Sequence, residues 1–208
     1  MQSNIVNSVF GSYATLIKLK CQENPPKVIA ESNGSSEELC FVQIIKDNTN
    51  LNVLHKTQNP NYIILYDAHK KDDKDWRFTD WDRSEGDFYL SGFRFDLKVA
   101  SKPMGEAKGK KMPSYVGGSI PLTSLVDFPK GDGKSLYLSV PTDWSRMFII
   151  SADDVLEFAE DHLKYSQILT RLREMKAQGK KMETKNFDQN DIFITINQLP
   201  TSAYEEIY

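Results

Sequence analysis

Cysteine and histidine are scarce in this sequence, which leaves little material for disulfides or zinc sites. The 208 residues include two cysteines, Cys21 and Cys40, and three histidines with no metal-ligand spacing. Two cysteines cannot form a disulfide framework, so we expect a reducing intracellular compartment. The N-terminus also lacks a basic stretch followed by an apolar one, so we expect no secretory signal and a cytoplasmic location.

Long hydrophobic runs are absent as well. The longest clean apolar runs are residues 62–66 and 147–150, far below the ~18 residues of a membrane span, and we expect no membrane partner. Hydrophobic residues nevertheless make up 39% and aromatic residues 11% of the chain. This length and composition are typical of one globular domain with a substantial core.

Acidic and basic residues are distributed unevenly along the chain. The net charge of −3 excludes a protein that is basic throughout. Residues 72–87 hold seven acids against three bases, 98–111 hold five lysines against one glutamate, and 164–185 hold seven bases against two acids. Such runs are most often solvated faces, but two basic segments around an acidic centre are also compatible with nucleic-acid binding.

Apolar spacing and turn residues predict the elements of the first half. A helix is predicted within residues 4–20, and a second helix opens at the capping box of residues 35–38 and runs to about residue 46. Strands are predicted at 52–55 and 62–66, with a polar loop from there to Gly86.

The second half contains most of the predicted strands. Strands are expected within residues 87–100, 134–140 and 146–150, and a late strand at 191–197. Ser151 caps a helix, and a basic helix covers 165–178. Helices first, then several strands, a helix and a final strand indicate an α/β or α+β domain with a mixed sheet.

Residues 87–98 form the clearest hairpin signal in the sequence. Ser91-Gly92 is a two-residue turn signal between two strand-like runs. A turn there pairs residues whose numbers sum to 183, so Asp87 faces Asp96 and Glu85 faces Lys98. Because side chains alternate along a strand, one face is apolar and the other is polar. The polar face carries Glu85, Asp87, Tyr89, Arg94, Asp96 and Lys98.

Two carboxylates placed opposite each other need a compensating charge, because like charges across a strand pair are destabilising. Mg²⁺ compensates them well, since it takes carboxylate oxygens and keeps several waters. Such a cation activates water and stabilises charge on a phosphoryl oxygen. Lys98 lies two residues from Asp96 on the same face and can hold the attacking water or the scissile phosphate.

The pattern Asp87-x8-Asp96-Leu97-Lys98 resembles the PD-(D/E)XK nucleases, which include type II restriction endonucleases. The resemblance implies a restriction-endonuclease-like mixed sheet flanked by helices, with both acids on adjacent strands and Mg²⁺ as cofactor, for which Mn²⁺ substitutes. Gly86 replaces the proline of the motif. (D/E)-x-K alone occurs six times in the chain, but only this copy lies in an alternating strand with an acid placed opposite.

The same resemblance implies roles for two further residues. The family commonly uses an earlier acid on a helix, for which Glu38 is the candidate, although a capping box also explains an acid at this position. The backbone carbonyl of Leu97 is expected to complete the metal coordination. We therefore expect Asp87, Asp96, Lys98 and Glu38 in catalysis, within a single nuclease domain over 1–208 whose catalytic core spans about 35–165, followed by a C-terminal basic helix and strand at 165–208.

Several basic residues outside the pair are candidates for contacts with phosphates. They are Arg94, Lys102, Lys108, Lys110, Lys111, Arg171 and Arg173. The expected substrate is double-stranded DNA, and cutting both strands of a palindromic site calls for a homodimer.

The sequence leaves other interpretations open. Arg94 and Lys98 can simply neutralise the acids of a solvent-facing sheet. The chain would then be a non-catalytic binding module for DNA or protein. A repair or junction-resolving nuclease of the same fold is a third possibility.

Overall fold

A mixed six-stranded sheet runs through the protein, with helices on both faces. The structure is a computed structural model that describes residues 4–26, 36–71, 77–100, 117–188 and 191–208. The strand order is β1-β2-β3-β5-β6-β8, and a separate two-stranded sheet joins β4 to β7. The strands are β1 (Val53–His55), β2 (Phe88–Leu90), β3 (Phe93–Val99), β4 (Ile120–Pro121), β5 (Ser135–Val140), β6 (Phe148–Ser151), β7 (Phe193–Ile194) and β8 (Tyr204–Glu206).

Among the strands that the structure describes, one neighbouring pair in the large sheet is parallel and the others are antiparallel. β1, β2 and β3 are antiparallel to one another, β3 and β5 are parallel, and β6 is antiparallel to both β5 and β8. The protein is thus a mixed α/β structure, as the sequence predicts.

The described helices are α1 (Ile5–Phe10), α2 (Ala14–Glu23), α3 (Ser36–Asn48), α4 (Pro60–Lys71), α5 (Arg77–Glu85), α6 (Ala152–Asp161) and α7 (Leu163–Ala177). The first three build one core with the apolar face of the hairpin, and the last two build a second core on the opposite face of the sheet. Within the described ranges, no helix has the length and apolar character needed to cross a membrane.

The hairpin between β2 and β3 turns where the sequence predicts. Ser91 and Gly92 have φ angles of 52° and 85°, the left-handed values that a two-residue hairpin turn requires at both central positions. Phe88 pairs with Phe95, and Leu90 pairs with Phe93. The predicted register is therefore confirmed for the paired part of the hairpin.

The expected strand at 62–66 is wrong, because this segment lies inside α4. Asn59 has an extended backbone before the helix, and its side-chain oxygen accepts a hydrogen bond from the N–H of Asn61 at 3.0 Å. Pro60 then occupies the first helical position, where its fixed φ favours a helix. This start signal outweighs the β propensity of the run that follows.

The polar loop expected before Gly86 is also wrong in part, because Arg77–Glu85 forms α5. The segment contains few apolar residues, so its sequence lacks the apolar residues at helical spacing that would predict a helix. Asp80 and Arg83 pair one turn apart along this helix at 3.6 Å.

The C-terminal end of the chain differs from its prediction. The late strand expected at 191–197 is limited to β7, and the chain then forms a short 3₁₀ turn at Ile196–Gln198. The tail beyond it contains β8, which pairs with β6 and completes the main sheet. The Glu205 carboxylate accepts hydrogen bonds from the N–H groups of Ile5 and Val6, both at 3.0 Å.

Candidate functional site

Asp87 lies immediately before β2 and is held on both sides by backbone hydrogen bonds. Its N–H donates to the Phe95 carbonyl at 2.6 Å, and its own carbonyl accepts from the N–H of Lys56 at 3.0 Å. It is 8% exposed. These contacts place Asp87 between the end of β1 and the middle of β3.

Both oxygens of the Asp87 carboxylate are engaged. Oδ2 accepts a hydrogen bond from the N–H of Leu97 at 2.8 Å, and Oδ1 accepts from Lys56 Nζ at 2.9 Å. The pairing of β2 with β3 stops at Phe88 and Phe95, so no β2 backbone carbonyl is available for the Leu97 N–H. The Asp87 side chain accepts this hydrogen bond instead.

Asp96 and Lys98 lie beside Asp87 on the same side of the sheet. Lys98 Nζ donates to Asp96 Oδ1 at 2.6 Å, and Asp87 lies near enough to Asp96 for its charge to raise the Asp96 pKa. The side chains of Asp96 and Lys98 are 13% and 18% exposed. The structure thus brings together the two acids and the lysine that the sequence predicts.

The two carboxyl groups differ in their pKa values. Burial and the nearby charge of Asp87 together raise the pKa of Asp96 to about 7, although the positive charge of Lys98 acts to lower it. Burial also opposes ionisation of Asp87, but Lys56, Lys98 and the Leu97 N–H outweigh it and lower its pKa. Asp87 is therefore ionised at neutral pH, while Asp96 holds its proton up to a much higher pH than an ordinary aspartate.

Gly86 allows Asp87 to approach β3 closely. Its φ is +74°, and a Cβ atom at this position would lie 2.4 Å from the Phe95 carbonyl oxygen. Any side chain here would push the backbone of Asp87 away from β3. Steric crowding against β3 therefore explains why glycine occupies the position at which the nuclease motif has proline.

Three residues of this site were not predicted from the sequence. Lys56 and Asp82 form an ion pair at 3.0 Å, and Lys56 also contacts Asp87. Tyr137 is the β5 neighbour of Asp96, and Lys98 Nζ lies 5.9 Å from the centre of its ring. The signal for Lys56 is its position directly after the predicted strand at 52–55, but the pairing of that strand with β2 spans more than thirty residues.

Glu85 does not take the place predicted for it. It ends α5 and accepts a hydrogen bond from the hydroxyl of Tyr89, so it does not lie on a strand across from Lys98. The reason is that the chain before Gly86 is helical, and the hairpin register cannot extend past Asp87.

Glu38 is buried on α3, on the helix face that also carries Phe41 and Val42. Within the described part of the chain, no three or more His, Cys, Asp or Glu side chains are grouped closely enough to hold a metal ion together. Glu38 is therefore not gathered with Asp87 and Asp96 into one ligand set. A metal at this site would rely on two carboxylates.

Three of the residues predicted to contact DNA lie in the described part of the chain, and each contacts another residue of the protein. Arg94 donates to both Asp132 oxygens at 2.8 Å, Arg173 pairs with Glu160 at 2.6 Å, and Arg171 lies over the Phe187 ring. The other four, Lys102, Lys108, Lys110 and Lys111, lie outside the described residues.

No family model, no curated protein and no solved structure matches this chain.

Proposed function

We propose that the protein is a metal-dependent endonuclease that hydrolyses DNA phosphodiester bonds. The observation that carries this proposal is the pair Asp87 and Asp96, two largely buried acids that influence each other's pKa and lie on one face of the sheet together with Lys98. Two like-charged groups in contact are costly to bury, and a divalent cation relieves this cost. The mixed sheet with both acids on neighbouring strands fits a restriction-endonuclease-like fold.

The donor set suits Mg²⁺ that retains most of its waters. Asp87 and Asp96 would hold the ion, with the Leu97 carbonyl as a further oxygen ligand. When bound, Mg²⁺ supplies a positive charge that polarises a phosphoryl oxygen and favours ionisation of water. Mn²⁺ is expected to substitute for it.

The protein's own groups orient the reactants. Lys98 donates hydrogen bonds either to the water or to a phosphate oxygen, because its ammonium lies beside Asp96 at the same face. The water oxygen attacks phosphorus in line with the departing ester oxygen, and the P–O ester bond breaks as the new bond forms. The attacking water gives up a proton to solvent, and the departing oxygen takes one from solvent, so that a phosphate monoester and a hydroxyl group result. Asp96 positions Lys98 for this role through their 2.6 Å contact.

Double-stranded DNA is the proposed substrate, and a type II restriction enzyme acting as a cytoplasmic homodimer is the preferred form of the proposal. A repair or junction-resolving nuclease would use the same site. Incubating the purified protein with plasmid and phage DNA in Mg²⁺, and in parallel with EDTA, tests the activity. Discrete bands in Mg²⁺ alone are expected, and no Mg²⁺-dependent cleavage of any DNA would contradict the proposal.

One observation favours a second candidate, a non-catalytic binding module. Both oxygens of Asp87 already have partners, and Lys98 already neutralises Asp96. This network balances its charges without a metal ion, so it can serve stability alone. Binding of DNA that is equal in Mg²⁺ and EDTA, without cleavage in either, would support this second function.

A further inference from the structure

Lys56 occupies a defined place in the sheet beside the carboxylate pair. β1 pairs with β2 so that His55 lies opposite Phe88, and the next pair along this register is Lys56 and Asp87. The Lys56 N–H donates a hydrogen bond to the Asp87 carbonyl at 3.0 Å, which continues the antiparallel pattern. Asp87 is thus flanked by Lys56 on one side and by Asp96 on the other.

The Lys56 ammonium bridges two carboxylates. Its Nζ lies 2.9 Å from Asp87 Oδ1 and 3.0 Å from Asp82 Oδ1, and the side chain is 19% exposed. Burial opposes its charge, but the two aspartates outweigh burial and raise the pKa of Lys56. Lys56 is therefore a fixed positive charge at neutral pH.

A divalent cation and Lys56 compete for the same oxygen. Asp87 Oδ2 already accepts from the Leu97 N–H at 2.8 Å and Oδ1 from Lys56 at 2.9 Å, so a cation that takes Oδ1 meets the Lys56 ammonium. Two positive charges on one carboxylate oxygen repel each other strongly in a buried setting. Asp82 offers the ammonium a second partner, with a side chain that is 34% exposed.

We propose that Lys56 is the built-in counter-ion of the carboxylate pair, and that a divalent cation entering the site displaces its ammonium from Asp87 towards Asp82. This inference rests on the proposed function, because it takes Asp87 as a metal ligand. Lys56 then acts as a positioning residue: its contact holds the Asp87 carboxylate in place before the metal arrives, and it lowers the metal affinity of the site.

Removing the ammonium should therefore tighten metal binding. We expect Lys56→Met to bind Mn²⁺ at least about tenfold more tightly than wild type, with a lower melting temperature in EDTA that Mn²⁺ restores. Lys56→Arg keeps the charge and should not gain affinity. Isothermal titration calorimetry with Mn²⁺ measures this, and Lys20→Met, which removes an exposed lysine paired with Glu23, is the matched control.

A measurement on the wild-type protein covers the case in which Lys56→Met does not fold. Reductive methylation followed by mass spectrometry reports how accessible each lysine is. Displacement predicts that methylation of Lys56 becomes faster when Mn²⁺ is added, while that of Lys20 stays the same. An unchanged rate at Lys56 in protein that binds Mn²⁺ would overturn the inference.

The outcomes separate this inference from the proposed function. If wild type binds Mn²⁺ and Lys56→Met binds it with equal or lower affinity, the displacement alone is overturned and the metal site stands. Absence of Mn²⁺ binding by both proteins overturns the displacement and removes the basis of the proposed function together. Tighter binding by Lys56→Met, with Lys56→Arg and Lys20→Met unchanged, supports it.

Discussion

Asp87 and Asp96 have the same side chain, but their surroundings shift their pKa values in opposite directions. Asp87 receives an ammonium and a backbone N–H, whereas Asp96 is buried with one lysine and beside a second carboxylate. Such splitting of two acids is common where a protein uses carboxylates for chemistry. At this site it also keeps the metal-free protein close to charge balance.

The raised pKa of Asp96 predicts how stability depends on pH. With a folded pKa of about 7 against the usual 3.8, the native state binds the proton more tightly than the unfolded chain, so stability falls as pH rises through this window. Asp96→Asn cannot ionise and avoids the loss. Its advantage in unfolding free energy should grow from about pH 4 to 7 and reach a few kcal/mol, as measured by urea denaturation in EDTA.

Asp143→Asn is the matched control for this experiment. Hydrogen bonds from Ser145 lower the pKa of the exposed Asp143, so its contribution changes only at pH values below the usual 3.8. Its stability curve should run parallel to wild type above that pH. Parallel curves for wild type and Asp96→Asn would mean that Asp96 is ionised throughout this range, and would contradict its raised pKa.

The β2–β3 hairpin contains two glycines with positive φ that serve different purposes. Gly92 forms the turn, and a Cβ there meets no atom within 4 Å, whereas a Cβ at Gly86 would collide with the Phe95 carbonyl. We expect Gly92→Ala to cost about 1 kcal/mol through its backbone conformation alone. Gly86→Ala should cost more and should also abolish Mn²⁺ binding, because Asp87 must move away from Asp96.

Thermal denaturation and Mn²⁺ titration of both glycine variants check this prediction. Gly92→Ala serves as the control, because it has the same type of strain at the far end of the same hairpin. Equal effects of the two substitutions on Mn²⁺ affinity would show that the position of Asp87 does not depend on Gly86.

The hairpin was predictable from the sequence because all its determinants are local. A two-residue turn signal fixes the register, and strict alternation assigns each side chain to a face. These two features place Asp87, Asp96 and Lys98 together. α4 was mispredicted for a local reason too, since the run at 62–66 has strand-like composition and its start signal, Asn59-Pro60, outweighs it.

The rest of the site depends on pairings that no local pattern reveals. Lys56 reaches Asp87 only because β1 lies beside β2, and two helices separate them along the chain. Asp82 faces Lys56 because α5 forms, and α5 has no clear apolar period. Contacts between distant segments are the ones that propensity and periodicity do not determine.

At the scale of the whole molecule, α1 and β8 meet at the sheet edge remote from β1. β8 adds the last strand, Ile207 is fully buried, and Glu205 caps the start of α1. The candidate site lies near the opposite edge, between β1 and β5. The residues that follow the late strand expected at 191–197 are thus an integral part of the sheet.

The most direct test of the central claim is the rate of Mg²⁺-dependent cleavage of supercoiled plasmid by three proteins. Wild type and Asp143→Asn should cleave equally, and Asp96→Asn should be slower by at least about a thousandfold, or ~4 kcal/mol of transition-state stabilisation. Asp96→Asn should still bind the plasmid as well as wild type, because an amide at this position puts no negative charge beside the phosphate. Equal cleavage by all three proteins, or none by any of them, would contradict the assignment of Asp87, Asp96 and Lys98 as a nuclease site.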